Sequence, residues 1–349
     1  MLGGYTSNAL MAKARAMYGK GLRAEDYAEL LKKNSVADVF IYLKNETCYG
    51  DTLSPFSENT IHRGQLEGLL NRDAFDMYMR LCKFESICCG GQEKFYDYIV
   101  RRIEISQILY CLRLINAKTK DVYIKALPTY FMNYASFDLI ALAKTQTVAE
   151  LLQVIADTPY AKIISGVPVD SDGRIDYGRC EQLLYSYHYK AAVKEAKESF
   201  SEDTAKELAE SIRTVLRTKN IITIFRLKAN FNEDGRAIMA RLITEGNSKD
   251  IKLYERLCSS ESKEDFIKIL KELPAYRKYD LKPDSTLEKT LEKAVNDNFK
   301  KKIRLSAKTP SVFYSLIYLS ETEIKNITTI IEGIRYNTFP KEIESLLVI

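Results

Sequence analysis

Glu104-Ile105-Ser106-Gln107-Ile108, running into LYCLRL, is the first of three related stretches in this chain. The second is Arg217-Thr218-Lys219-Asn220-Ile221, running into ITIFRLK, and the third is Glu323-Ile324-Lys325-Asn326-Ile327, running into TTIIEGI. Gln107 to Asn220 is 113 residues and Asn220 to Asn326 is 106. A second shared element lies upstream of each copy: a small hydroxyl residue, an acid, an apolar run and a turn ending in tyrosine. These elements read SVADVFIYLKNETCY (Ser35 to Tyr49), TVAELLQVIADTPY (Thr147 to Tyr160) and SKEDFIKILKELPAY (Ser262 to Tyr276). A period of about 110 residues exceeds the roughly 20–50 of a solenoid unit. It reads as one helical module written three times, over residues 1–132, 133–246 and 247–349.

Each module reads as short helices, a tyrosine-bearing turn, and two long helices with a short closing one. The long pairs are expected at residues 58–83 and 92–118, 176–198 and 202–229, and 285–305 and 311–336. Ile108, Leu112 and Ile115 recur at i, i+4, i+7, the period of an apolar helix stripe. Ser57 ahead of Glu58, and Ser201 ahead of Asp203 and Thr204, read as N-terminal caps. Few runs alternate strictly, and Asn-Gly or Asp-Gly hairpin turns between β-rich runs are missing. The fold class is all-α, and the threefold repeat predicts pseudo-threefold helical modules forming a funnel or cup. The loop from Gly166 to Gly178 holds Asp170, Asp172 and Asp176, but not at the calcium-loop spacing, so it reads as a polar turn.

With 349 residues, two or three domains are allowed, each able to bury a core. The chain is 46% hydrophobic and 28% charged, a globular composition and not a disordered one. A net charge of +5 permits an acidic partner without demanding one. The seven cysteines are odd in number and irregular in spacing, and read as reduced buried thiols. The opening MLGGYTSNAL lacks a basic region followed by an apolar stretch, so no signal peptide is expected. No apolar run reaches the roughly 18–20 residues that cross a bilayer, so a soluble chain is expected.

Chemistry is hard to find in this sequence. There is no G-x-x-x-x-G-K-[ST] phosphate loop and no G-x-G-x-x-G following a strand. The two histidines, His62 and His188, have no metal-spaced partner, so triads and zinc hydrolysis lack their usual imidazole. No catalytic residue, cofactor or metal is expected. Arg101-Arg102 and Lys300-Lys301-Lys302 with Arg304 read first as solvated helix faces, with phosphate or acidic-surface binding as the alternative. The 23 tyrosines accompany apolar residues, as at Tyr96 and Tyr98 and at Tyr185, Tyr187 and Tyr189, and read as core edges and interfaces.

Taken together, YTSNALMAKARAM (Tyr5 to Met17) followed by AEDYAELLKKNSVADVFIYLKNETCYG resembles the opening of the V/A-type ATPase central-stalk subunit. That subunit is called C in archaeal and bacterial enzymes and d in eukaryotic vacuolar ones. PSVFYSLIYLSETEIKNITTIIEGIRYNTFPKEIESLLV (Pro310 to Val348) is similar to the family's closing signature, and the triplication matches, so the resemblance covers essentially the whole chain. It implies a non-catalytic, cytoplasmic, peripheral rotor part. Three helical wedges would form a funnel seated on the membrane rotor ring (c/K-type subunits) and holding the central-shaft subunits. It would couple ATP hydrolysis or synthesis to proton or sodium movement, binding no nucleotide, no nucleic acid and no cofactor, and inserting nothing into the membrane.

The sequence departs from the family pattern in places. The family's Thr-Pro-Tyr or Thr-Asp-Tyr turn is Thr47-Cys48-Tyr49 in the first copy and decays to Leu273-Pro274-Ala275-Tyr276 in the third. Arg217 occupies the acidic position of the middle motif, and Glu332 stands where the other copies carry Arg113 and Arg226. Glu104, Gln107, Arg113, Arg217, Asn220, Arg226, Glu323 and Asn326 are the candidate structural or partner-binding residues. They are read first as polar ties inside each module. Two other function classes stay open at this point: a helical-repeat adaptor for nucleic acid or an acidic protein, and an enzyme using Cys88 or Cys89.

Overall fold

The computed structural model describes residues 2–58, 61–89, 96–119, 127–231 and 233–349. Among these residues the chain is α-helical, and its one β feature is an isolated bridge between Val169 and Ile175. It divides into two compact units, one made of Met1–Glu93 with Ser262–Ile349 and the other of Lys94–Glu261.

The first unit opens with α1 (Leu2–Tyr18), α2 (Ala24–Leu30), α3 (Val36–Glu46), the one-turn α4 (Gly50–Leu53) and α5 (Arg63–Cys89). It resumes with α14 (Lys263–Glu272), α15 (Leu287–Leu305), α16 (Thr309–Arg335) and α17 (Pro340–Leu346). Helix α16 is its centre. Residues from Pro310 to Ile317 are buried without a break, as are Ile324, Ile327, Ile330 and Ile331 further along. A helix apolar on all sides must be enclosed, and α1, α3, α5, α15 and α17 all pack on it. Each fully buried Ile or Leu contributes about 2 kcal/mol. Pro310 sits in the first helical turn, where its missing N–H would have had no intrahelical partner.

The second unit runs through α6 (Tyr96–Ala117), a 3₁₀ turn (Thr129–Phe131), α7 (Leu139–Lys144), α8 (Val148–Val154) and α9 (Pro159–Ser165). It continues with α10 (Tyr177–Ser199), α11 (Glu202–Phe231), α12 (Gly235–Arg241) and α13 (Ser248–Cys258). Helix α10 packs on both α6 and α11. The fully buried Ile99, Ile105, Ile108 and Leu112 come from α6, and Ile221 and Ile224 from α11.

Three helices share one N-terminal cap. Helices α3, α8 and α14 each begin at a hydroxyl residue: Ser35, Thr147 and Ser262. Each hydroxyl accepts from the backbone N–H three residues on, at Asp38, Glu150 and Asp265. Those three acids lie in the first turn, where the helix dipole favours negative charge.

Of the long helices expected from the sequence, the pairs in the second and third modules fall within a few residues of their predicted bounds. The first does not begin at Glu58. It begins at Arg63, because the imidazole Nδ1 of His62 accepts from Gln65 N at 3.2 Å and serves the first turn in place of Ser57. The expected start at Gln92 lies outside the described residues. The Gly166–Gly178 loop is a turn closed on itself: Asp170 Oδ1 accepts from Asp172 N and Arg174 N, both at 2.9 Å, and Gly173 takes a left-handed φ of 78°.

Candidate functional site

Glu323 projects from the middle of α16 toward the opening segment of the chain. Its Oε1 accepts from the Tyr49 hydroxyl at 2.7 Å and its Oε2 from Leu22 N at 2.8 Å. Gly21 makes this approach possible, because a Cβ there would lie 2.7 Å from Glu323 Oε2. Burial holds the Glu323 carboxyl above its ordinary range, although both donors pull it down. The same burial, with the adjacent carboxylate, pushes the Tyr49 phenol well up, so that it stays a donor.

Glu104 of α6 repeats the arrangement in the second unit. Its Oε2 accepts from the Tyr160 hydroxyl and its Oε1 from Ser136 N, both at 2.5 Å. One oxygen thus takes a phenol and the other a backbone N–H, as at Glu323. Tyr49 and Tyr160 are the tyrosines that end the first two upstream elements. Burial and Glu104 push the Tyr160 phenol far above its normal range. Charge-assisted bonds of this kind are roughly twice as strong as neutral ones.

The middle copy keeps the position and changes the chemistry. Arg217 Nε donates to Asp250 Oδ1 at 2.6 Å, and its terminal nitrogens reach Glu210 Oε1 at 3.1 and 3.2 Å. Glu104 reaches 32 residues ahead and Arg217 33, whereas Glu323 reaches back 301. The charged position therefore ties to a segment outside the module bounds drawn from the sequence.

The asparagines act closer to home. Asn220 donates to Ile243 O at 2.6 Å and accepts from Ile243 N at 3.2 Å. Asn326 donates to Val348 O and accepts from Val348 N, both at 2.9 Å. Each carboxamide mimics a peptide group and pins the non-helical segment that follows its module's closing helix. Asn116 makes the same pair with Ile175, at 2.8 and 3.0 Å. Gln107, one methylene longer, is part-buried and donates to Ser106 Oγ at 3.3 Å.

Arg113 and Arg226 are both exposed, nine residues after the charged motif position, and Arg113 stacks over the Tyr110 ring. At the matching place in the third copy Glu332 binds Arg63 at 2.7 Å. Within each unit Glu104, Arg217, Asn220, Glu323 and Asn326 make separate ties, and Arg113 and Arg226 lie on the surface.

Sequence reading missed the donors at Tyr49 and Tyr160, the Asn116 pair and the role of Gly21. It also misplaced Arg101. That residue is not on a solvated face: it is 8% exposed and forks onto Glu195 with two bonds of 2.7 Å. Beside it His188 is fully buried, with Nδ1 3.4 Å from Arg101 Nε, no partner for Nε2 among the described residues, and the Tyr98 ring at 4.7 Å. Burial, with Arg101 and Arg102 nearby, holds its imidazole well below the usual range. The unfolded chain then takes up a proton near pH 6.5 that the folded chain refuses. Stability is therefore full above that pH and falls by up to about 1.4 kcal/mol per unit below it. Thermal melts between pH 7.5 and 5.5 should show this slope, and His188→Gln should flatten it.

Both oxygens of Glu104 and of Glu323 are occupied, and no three His, Cys, Asp or Glu could hold a metal among the described residues. The side chains of Cys88 and Cys89 lie outside the described residues. A surface cleft of about 440 Å³, lined by Lys32, Asn34, Asp38, Tyr42 and Asn45 among others, contains no motif residue. No helix among the described residues is long and apolar enough to cross a membrane.

Comparison with known proteins places these ties in a family. The chain is 24% identical over 219 residues to the C subunit of the A-type ATP synthase of Methanosphaera stadtmanae, a match that covers 63% of this chain and 54% of that protein. It is 23% identical over 239 residues to the C subunit of the A-type ATP synthase of Thermococcus gammatolerans, covering 68% and 61%. The chain thus spans between half and two thirds of the length of these relatives. The family model for the ATP synthase (C/AC39) subunit matches residues 10–346. With nearly its whole length inside that match, the chain belongs to the ATP synthase (C/AC39) subunit family.

Proposed function

We propose that this chain is a non-catalytic central-stalk part of a V/A-type ATPase. It couples the shaft to the membrane ring that moves protons or sodium ions, whether the machine hydrolyses or makes ATP. In this reading three helical wedges, near residues 1–132, 133–246 and 247–349, close into a cup on the cytoplasmic face. The shaft subunits enter the cup, and the c/K-type ring lies beneath it. The observation that carries the reading is the recurrence of one tie. Glu323 grips Leu22 and Tyr49 as Glu104 grips Ser136 and Tyr160, so the last copy holds the first as the first holds the second. A part that transmits torque has to resist bending, and close-packed long helices joined by buried charge-assisted bonds do so.

The test is capture from detergent-solubilised membranes of the source cell with a tagged chain. Shaft subunits and a small apolar ring subunit should come down together. Arg113→Ala with Arg226→Ala should cut shaft recovery by about tenfold at unchanged helicity, the loss of one or two charge-assisted contacts. Recovery of neither partner by the unmodified chain would remove the reading, and undiminished recovery by the double variant would remove the arginines from it.

A further inference from the structure

The solvent-facing arc of α15 is rich in positive charge. At 3.6 residues per turn, Lys289, Thr290, Lys293, Asp297, Lys300, Lys301 and Arg304 fall within about 120° of one another. That arc holds five cations and one acid. The acid, Asp297, accepts from the Tyr279 hydroxyl through Oδ2 at 2.8 Å and keeps its charge beside Lys300. Lys289 reaches the Glu344 carbonyl at 3.2 Å, while Lys293, Lys300, Lys301 and Arg304 make no ion pair among the described residues. Lys293, Lys301 and Arg304 are exposed.

These cations oppose one another. Lys289 with Lys293, and Lys300 with Arg304, sit at the i, i+4 spacing where like charges repel. Burial of its stem, helped by Lys293 and Arg304 and opposed by Asp297, holds Lys300 below the ordinary lysine range. The arc spans about 22 Å from Lys289 to Arg304 at 1.5 Å per residue. It carries no apolar or aromatic residue, whereas a specific protein interface is centred on such anchors and is depleted in lysine. What fits an unanchored row of lysines is a diffuse layer of negative charge.

We propose that this face of α15 is a docking surface for anionic lipid headgroups. The contact is electrostatic and reversible, with each Lys or Arg near an anionic bilayer adding to the attraction and salt weakening it. The choice of a bilayer over another polyanion rests on the coupling reading above, which places the chain beside a membrane. The two fail separately, because the vesicle assay uses the chain alone and the coupling reading is tested by capture of its partners.

The experiment is co-sedimentation of the full chain with phosphatidylcholine vesicles, with and without about one-third phosphatidylglycerol. Binding should require the anionic lipid and fall steeply as salt rises. Lys293→Glu, Lys300→Glu and Arg304→Glu together should lower it about tenfold or more. The gentler Lys293→Gln, Lys300→Gln and Arg304→Gln set, which relieves repulsion and so preserves folding, should lower it in the same direction. Lys206→Glu, Lys249→Glu and Lys252→Glu change the net charge equally on exposed positions of the other unit and should leave binding within about twofold. No binding to anionic vesicles, equal loss in both charge-reversed sets, or binding of single-stranded RNA but not vesicles through the arc would each overturn the proposal.

Discussion

Glu323→Ala is expected to lower the unfolding free energy by about 2–3 kcal/mol, with Glu104→Ala costing at least as much in the other unit. Neither figure measures what the carboxylate adds. Burial holds Glu323 above its ordinary range, so taking the charge out of water already has a cost. The loss comes from the donors left behind: Tyr49 Oη and Leu22 N in one unit, Tyr160 Oη and Ser136 N in the other. An unpaired buried donor costs about 1–3 kcal/mol. Removing the phenol as well should recover part of the loss. Glu323→Ala combined with Tyr49→Phe is therefore expected to be less destabilising than the sum of the two, by about 1–2 kcal/mol. Urea unfolding followed by far-ultraviolet circular dichroism reads all three. Additive effects, or a single-variant loss below about 0.5 kcal/mol, would show that the ties carry no load.

The fold was legible where local rules decide it. Ser35, Thr147 and Ser262 stand three residues ahead of an acid and each opens a helix, because the cap needs only neighbours in sequence. The long helices followed from uninterrupted apolar periodicity and from prolines kept to helix starts, as at Pro310. The site was half legible. Its residues stood out through repetition, and the asparagines bind backbone about 22 or 23 residues on, within reach of a local reading. The glutamates find partners set by tertiary packing, 32 and 301 residues away, and no periodicity carries that information. The recurring tyrosine was the available signal, obscured because the middle copy answers with Arg217 and Asp250. Arg101 misled for a related reason. Its neighbour in sequence is another arginine, while its neighbour in space, Glu195, lies 94 residues on.

The second large effect concerns coupling. In the proposed role the chain contributes no group to ATP chemistry. Removing it should leave the chemical step alone and break only the mechanical path between shaft and ring. A lost path is an all-or-none defect, unlike the graded loss of a catalytic contact. Partial weakening should be graded, with Glu323→Ala reducing ion movement per ATP by loosening the wedge it fastens. The most direct measurement is therefore made on the complete complex in vesicles, with and without this chain, following ATP hydrolysis and ion uptake together. Hydrolysis should persist without the chain while ion uptake falls to background, and adding the chain back should restore it. Ion uptake that continues in its absence, or hydrolysis by the detached head that stops without it, would contradict a purely mechanical coupling part.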